Sequence, residues 1–74
     1  MASYTPDEIQ QVRDWYISIS PEGEKFFTNR QITEMFYEKY MKNISERTIY
    51  NWIKKYRWDM ELERAIMLSA YNDE

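Results

Sequence analysis

The sequence predicts a small all-α domain of three to four helices, and three observations carry that prediction. Apolar side chains recur at three- and four-residue spacing in separate stretches of the chain. A helix-capping residue opens each stretch: Thr5, Thr28, Ser45 and Asp59. The only glycine, Gly23, and the second of two prolines, Pro21, fall in a single loop.

The first helix is expected over about residues 6–19. Thr5 is its N-cap, Pro6 suits the first helical position, and Glu8 completes a Thr-x-x-Glu capping box. Ile9, Val12, Trp15 or Tyr16, and Ile19 make its inner stripe. Pro21 disfavours helical geometry in the residue before it, which sets the end near Ile19 or Ser20. Pro21 to Lys25 form the principal loop, and one of Phe26 and Phe27 is expected to fold back onto the core. Thr28 with Gln31 repeats the capping chemistry and opens a second helix at about 29–42. Its inner face carries Ile32, Met35 or Phe36, and Lys39 or Tyr40. Ser45 caps a third helix at 46–56, with Ile49, Trp52, Ile53 and Tyr56 inward. Arg57, Trp58 and Asp59 form a junction in which Trp58 covers the core as a lid. Asp59 caps a fourth helix at about 60–71, with Leu62, Ile66 and Ala70 on one side.

Seventy-four residues make one domain at most, and a chain this short needs large side chains to stabilise it. Three tryptophans, seven tyrosines, three phenylalanines and five methionines supply them. Trp15, Trp52, Ile49 and Ile53 are expected in the core, with no functional role. Cysteine and histidine are absent, which removes disulfides, thiolate chemistry, the commonest general base and the commonest transition-metal ligand. Glu34 and Glu38 sit one turn apart without a third ligand type nearby and read as solvated surface, as do Asp59, Glu61 and Glu63. No glycine-rich phosphate loop is possible with one glycine. The expectation is a chain that is not an enzyme and takes no cofactor or metal. No apolar run approaches the roughly 20 residues that span a bilayer, and residues 1–6 lack the basic and apolar regions of a signal peptide. A cytoplasmic protein without membrane contact is the expectation.

The net charge is −3, but its distribution is uneven. Residues 1–38 carry −4, residues 39–57 carry +5 from Lys39, Lys42, Arg47, Lys54, Lys55 and Arg57 against Glu46, and residues 58–74 carry −4. Nucleic acid responds to the local potential of the face it meets, so a basic segment between acidic flanks can bind phosphates, while the flanks weaken non-specific binding. The acidic net charge therefore leaves double-stranded DNA open as a partner.

Gln31 to Phe36, followed by Ile44 to Tyr56, resembles the helix-turn-helix of phage and transposon DNA-binding proteins, with the pattern Ile-x-x-x-Phe…Val-Ser-x-x-Thr-Ile-x-x-Trp. Ile32 and Phe36 bury the support helix, Ile44 plugs the turn, Ser45 caps the recognition helix, and Ile49, Trp52 and Ile53 anchor it. The opposite face offers Glu46, Arg47, Tyr50, Asn51, Lys54 and Lys55. Arg47 suits bidentate pairing with guanine and Asn51 with adenine. Tyr50, Lys54, Lys55 and Arg57 suit phosphate. Glu46 suits a cytosine amino group or simply the helix N-terminus. The amide end of the helix behind Ser45 can meet a phosphate. The chain departs from the pattern between Phe36 and Ser45, which are about six residues further apart, enough to lengthen the support helix by about 9 Å. That extension is expected to carry Lys39 and Lys42 onto the DNA backbone.

Over residues 28–63 the chain resembles the N-terminal domain of phage terminase small subunits, which end such a motif in a Trp-x-x-x-x-x-Trp stretch like Trp52 to Trp58. The resemblance implies recognition of a packaging site on viral DNA in the host cytoplasm and delivery to a terminase large subunit. It also implies a longer chain whose further part oligomerises, so that residues 1–74 form its N-terminal domain. Transposase and repressor domains share the core pattern. A helical protein-interaction domain that reuses the fold is the alternative of a different class.

Overall fold

A computed structural model describes the backbone of residues 3–71 and the side chains of 3–69. The fold is all-α, with α1 at Pro6–Tyr16, α2 at Asn29–Tyr40, α3 at Glu46–Tyr56 and α4 at Trp58–Tyr71. Among the described residues there is no strand, only one isolated antiparallel bridge between Ile19 and Lys25. No described helix is long and apolar enough to cross a membrane.

Three caps form at the residues whose chemistry favours them. Thr5 Oγ1 accepts from the Glu8 amide at 3.2 Å while Glu8 Oε1 accepts from the Thr5 amide at 2.9 Å. Thr28 and Gln31 close the same reciprocal box at 3.1 and 2.8 Å, and Ser45 Oγ accepts from the Thr48 amide at 3.1 Å. Each satisfies amide groups that a helix start otherwise leaves bare.

The core gathers Val12 and Tyr16 of α1, Ile32 and Phe36 of α2, Ile44 of the following turn, Ile49 and Ile53 of α3, and Trp58 of α4. Ile9, Trp15, Met35, Tyr40, Trp52 and Leu62 pack against it half-buried. Phe27 is the loop phenylalanine that folds back, and Phe26 stays 53% exposed. Ile66 is half-buried on α4, and the Ala70 side chain lies outside the described residues.

Four expectations need correction. First, α1 stops at Tyr16 rather than Ile19. Beyond it, the Ser18 carbonyl accepts from the Phe26 amide at 2.9 Å, and the Ser20 amide donates to the Glu24 carbonyl at 2.7 Å. Backbone groups that would have extended the helix are thus paired across the turn, where Gly23 takes φ +82°. Second, α2 stops at Tyr40 rather than Lys42, because Met41 adopts the left-handed region at φ 57° and its amide closes on the Tyr37 carbonyl at 2.8 Å. The support helix therefore runs one turn past Phe36, and residues 41–44 form the turn. Third, Trp58 is no lid. It is 2% exposed and opens α4 itself, so Asp59 sits inside the first turn instead of capping it. Arg57 alone makes the junction: it is left-handed at φ 59°, its amide donates to the Ile53 carbonyl, and its own carbonyl accepts from Met60 at 3.2 Å and Glu61 at 3.4 Å. Fourth, Tyr56 is 41% exposed rather than inward, its ring stacked on Trp58 at 5.7 Å.

Candidate nucleic-acid interface

Helix α3 is divided cleanly by its period. Ile49 and Ile53 are buried and Trp52 is half-buried, whereas Glu46, Arg47, Tyr50, Asn51, Lys54 and Lys55 are all exposed. Arg47, Tyr50, Asn51 and Lys54 stand at three- and four-residue intervals and so share one outward stripe. Arg47 to Lys54 spans seven residues, about 10 Å along the axis, or about three base-pair steps. Lys55 lies to one side with its ammonium 5.3 Å from the Tyr56 ring, and Lys54 lies 4.8 Å from the Tyr50 ring. Arg57 follows at the left-handed cap, its side chain making one polar contact among the described residues, a 3.8 Å approach of Nη1 to the Met60 sulfur.

Among the described residues, no carboxylate pairs with Arg47, Lys54, Lys55 or Arg57. The cations before α3 are held differently. Arg13 bonds Glu61 of α4 through Nε at 2.9 Å and through Nη2. Lys25 bonds the Phe27 carbonyl and, at 3.3 Å, Asn29, over the Tyr16 ring, and burial lowers its pKa. Arg30 approaches Glu34 at 4.0 Å. Lys39 bonds Gln11 of α1 and lies 5.9 Å from the Trp15 ring. Lys42 reaches Glu8 of α1 at 3.0 Å. Lys39 and Lys42, expected on the DNA backbone at the end of a longer α2, both turn back to α1 here, because the helix ends at Tyr40 and does not run on past the turn. Ser45 is likewise occupied, its hydroxyl shared between the Thr48 amide and, at 3.0 Å, the Thr48 hydroxyl. It orients the helix start.

Two residues that position α3 escaped the sequence reading. Tyr4 donates its hydroxyl to the Asn43 carbonyl at 3.0 Å and sets its ring edge-on to Trp52 at 5.1 Å and Phe36 at 5.8 Å. It thereby ties the N-terminal segment to the turn that feeds α3. Glu8, expected only as a cap, is 7% exposed and also receives Lys42. Its Thr5 amide bond, followed by Lys42, holds its pKa below the ordinary carboxylate value against the opposing effect of burial. An aromatic residue directly before an N-cap is a local signal only for packing on the helix it precedes, so the contacts of Tyr4 with α2 and α3 had no signal in the sequence.

Beside the start of α3 lies an open groove lined by Thr33, Glu34, Tyr37, Glu38, Asn43 and Ile44. Its two carboxylates oppose a phosphate there, so the field of the outward face is most favourable to a polyanion towards Lys54, Lys55 and Arg57. No described cluster of three or more acidic side chains is placed to hold a metal ion. No family model matches the chain, and neither a curated protein nor a solved structure matches it.

Proposed function

We propose that the chain binds double-stranded DNA by inserting the outward face of α3 into the major groove. The observation that carries this reading is the stripe of Arg47, Tyr50, Asn51 and Lys54, continued by Lys55 and Arg57, whose cations have no carboxylate partner among the described residues. Arg47 and Asn51 have the forked donor and acceptor geometry that reads guanine and adenine edges. Lys54, Lys55 and Arg57 fix register through phosphates. Core packing of Ile49, Trp52 and Ile53 holds the helix rigid while it does so.

The finer reading is recognition of a packaging site on viral DNA, in the manner of a terminase small subunit that serves a large subunit. It rests on the pattern of Ile32, Phe36, Ile44, Ser45, Thr48, Ile49 and Trp52 and on the spacing of Trp52 and Trp58.

An NMR titration with short duplexes at low and moderate salt tests the proposal. The expected result is shifts at residues 45–57 that fade as salt rises, with a slope of roughly −3 for three phosphate-facing cations. Arg47→Ala and Asn51→Ala relax sequence preference, whereas Lys54→Ala and Lys55→Ala weaken binding to every sequence. Absence of shifts at low salt sinks the proposal and leaves a protein-interaction domain as the better reading. Selection from random duplexes that returns no preferred site removes the finer reading together with base reading by Arg47 and Asn51, and leaves phosphate binding alone.

A further inference from the structure

Helix α4 turns one side to the core through Leu62, with Ala65, Ile66 and Ser69 half-buried beside it. Its other side is exposed and apolar at Met60, Met67 and Leu68, which are 57%, 55% and 55% exposed. Glu63 and Arg64 lie between them, and the five side chains line one shallow groove. Met60, Glu63, Arg64 and Met67 follow the i, i+3, i+4, i+7 rule and so form a single stripe. No described carboxylate pairs with Arg64, and no described cation pairs with Glu63.

We infer that this stripe is a self-complementary surface on which a second copy of the chain docks with its α4 antiparallel. The order of residues selects the occupant. A two-fold axis midway between Glu63 and Arg64 sets Glu63 against Arg64 of the second copy. The same axis sets Met60 against Met67 of the second copy, because each pair is equidistant from it. Two copies thus gain two opposite-charge contacts flanked by two methionine contacts, the isologous arrangement of a two-fold dimer. Leu68 widens the apolar patch at each end. Competing arrangements are penalised by the same residues. Moving the axis onto Arg64 brings two arginines together, and parallel helices set Glu63 against Glu63 and Arg64 against Arg64. An unrelated partner would have no reason to match this internal symmetry. The stripe covers only about 12 Å of helix, too short for the contact to reach the roughly 1,000 Å² of a stable interface, so the dimer is weak and forms at high concentration.

The absence of cysteine gives a clean test of the register. A mixture of Met60→Cys and Met67→Cys chains, oxidised by glutathione disulfide, is expected to yield the mixed disulfide well above either symmetric one. Two copies of residue 60 lie about 10 Å apart along the axis in this register, beyond the roughly 7 Å that a disulfide bridges. Sedimentation equilibrium of the whole chain up to about 1 mM, in the range where weak complexes form, supplies the second measurement. Glu63→Arg is expected to weaken self-association at least tenfold, and Glu63→Arg with Arg64→Glu to restore it, with circular dichroism unchanged in both. A monomer at the highest concentration, a failure of the double reversal to restore association, or equal yields of mixed and symmetric disulfides overturns the inference. It stands independently of DNA binding, since none of its residues belongs to α3.

Discussion

Cations before α3 and cations on α3 sit in contrasting surroundings. Arg13, Lys25, Arg30, Lys39 and Lys42 each meet a polar partner, three of them across helices: Arg13 to α4, Lys39 and Lys42 to α1. Arg47, Lys54, Lys55 and Arg57 meet no carboxylate among the described residues, although the chain is acidic overall. Exposed ion pairs contribute little to stability, so the contrast is not one of strength. Folding accounts for where the first group points and says nothing of the second. A set of cations gathered on one helix face, left without partners by an acidic chain, remains available to an external polyanion.

The largest expected effect separates the two sides of α3's surroundings by stability alone. Phe36, fully buried between Tyr4 and Tyr40, anchors the helix that supports α3. Phe36→Ala is expected to cost about 3–5 kcal/mol, much of what a small domain has. Tyr50→Ala on the exposed stripe should change stability by less than about 0.5 kcal/mol. Urea denaturation of both variants checks this, and equal losses would mean that the stripe belongs to the fold and the contrast fails.

A sharper version exchanges stability for binding. Lys54→Ala should lower the salt dependence of DNA affinity by about one unit of slope and leave the melting temperature unchanged. Lys42→Ala should do the reverse, removing the ammonium that reaches Glu8 and leaving the salt slope as it was. Fluorescence anisotropy across a salt series, beside thermal melts, distinguishes them. A drop in slope for Lys42→Ala would show that this side chain leaves Glu8 for DNA.

The two left-handed residues give a smaller effect of divided sign. Met41 at φ 57° and Arg57 at φ 59° occupy a region in which a Cβ is strained. Glycine at either position should stabilise the fold by about 1 kcal/mol. Met41→Gly should do only that. Arg57→Gly should raise the melting temperature while weakening DNA binding, a combination that no purely structural role for Arg57 produces. Binding unchanged in Arg57→Gly would remove that residue from the interface.

What could be read from the sequence follows how local each feature is. Thr5 with Glu8, Thr28 with Gln31, and Ser45 were legible because a cap is decided within four residues. The bounds of α3 and, except at Tyr56, its division into buried and exposed faces were legible because 3.6-residue periodicity is a property of one segment. The end of α1 was not, since it depends on Ser18 and Ser20 pairing across a turn with Phe26 and Glu24. The left-handed ends at Met41 and Arg57 carried no glycine to mark them. The candidate site divides in the same way. The composition of its face was visible, but the contact of Lys42 with Glu8 was not, because the two lie 34 residues apart in the chain. The full burial of Trp58 was equally hidden, because it depends on Tyr16 of α1 meeting it beside Trp52 and Tyr56 of α3.

The smallest effect concerns the two capping boxes, which have the same geometry and differ in one atom type. In α2 the reciprocal acceptor is Gln31, which does not titrate; in α1 it is Glu8, which does. The Thr5 amide and Lys42 hold the Glu8 pKa below its ordinary 4.5. A carboxylate whose folded-state pKa is depressed contributes fully above its ordinary value, and the contribution is lost as pH falls through the folded-state value. Stability should therefore decline on acidification below about 4.5, as Lys42 loses its anionic partner. Glu8→Gln should copy the α2 box, keep the amide bond, and make the acid limb of the stability profile shallower while lowering stability at neutral pH. Denaturation midpoints measured from about pH 3 to 7 decide it. An acid limb of unchanged steepness in Glu8→Gln would place the acid sensitivity elsewhere.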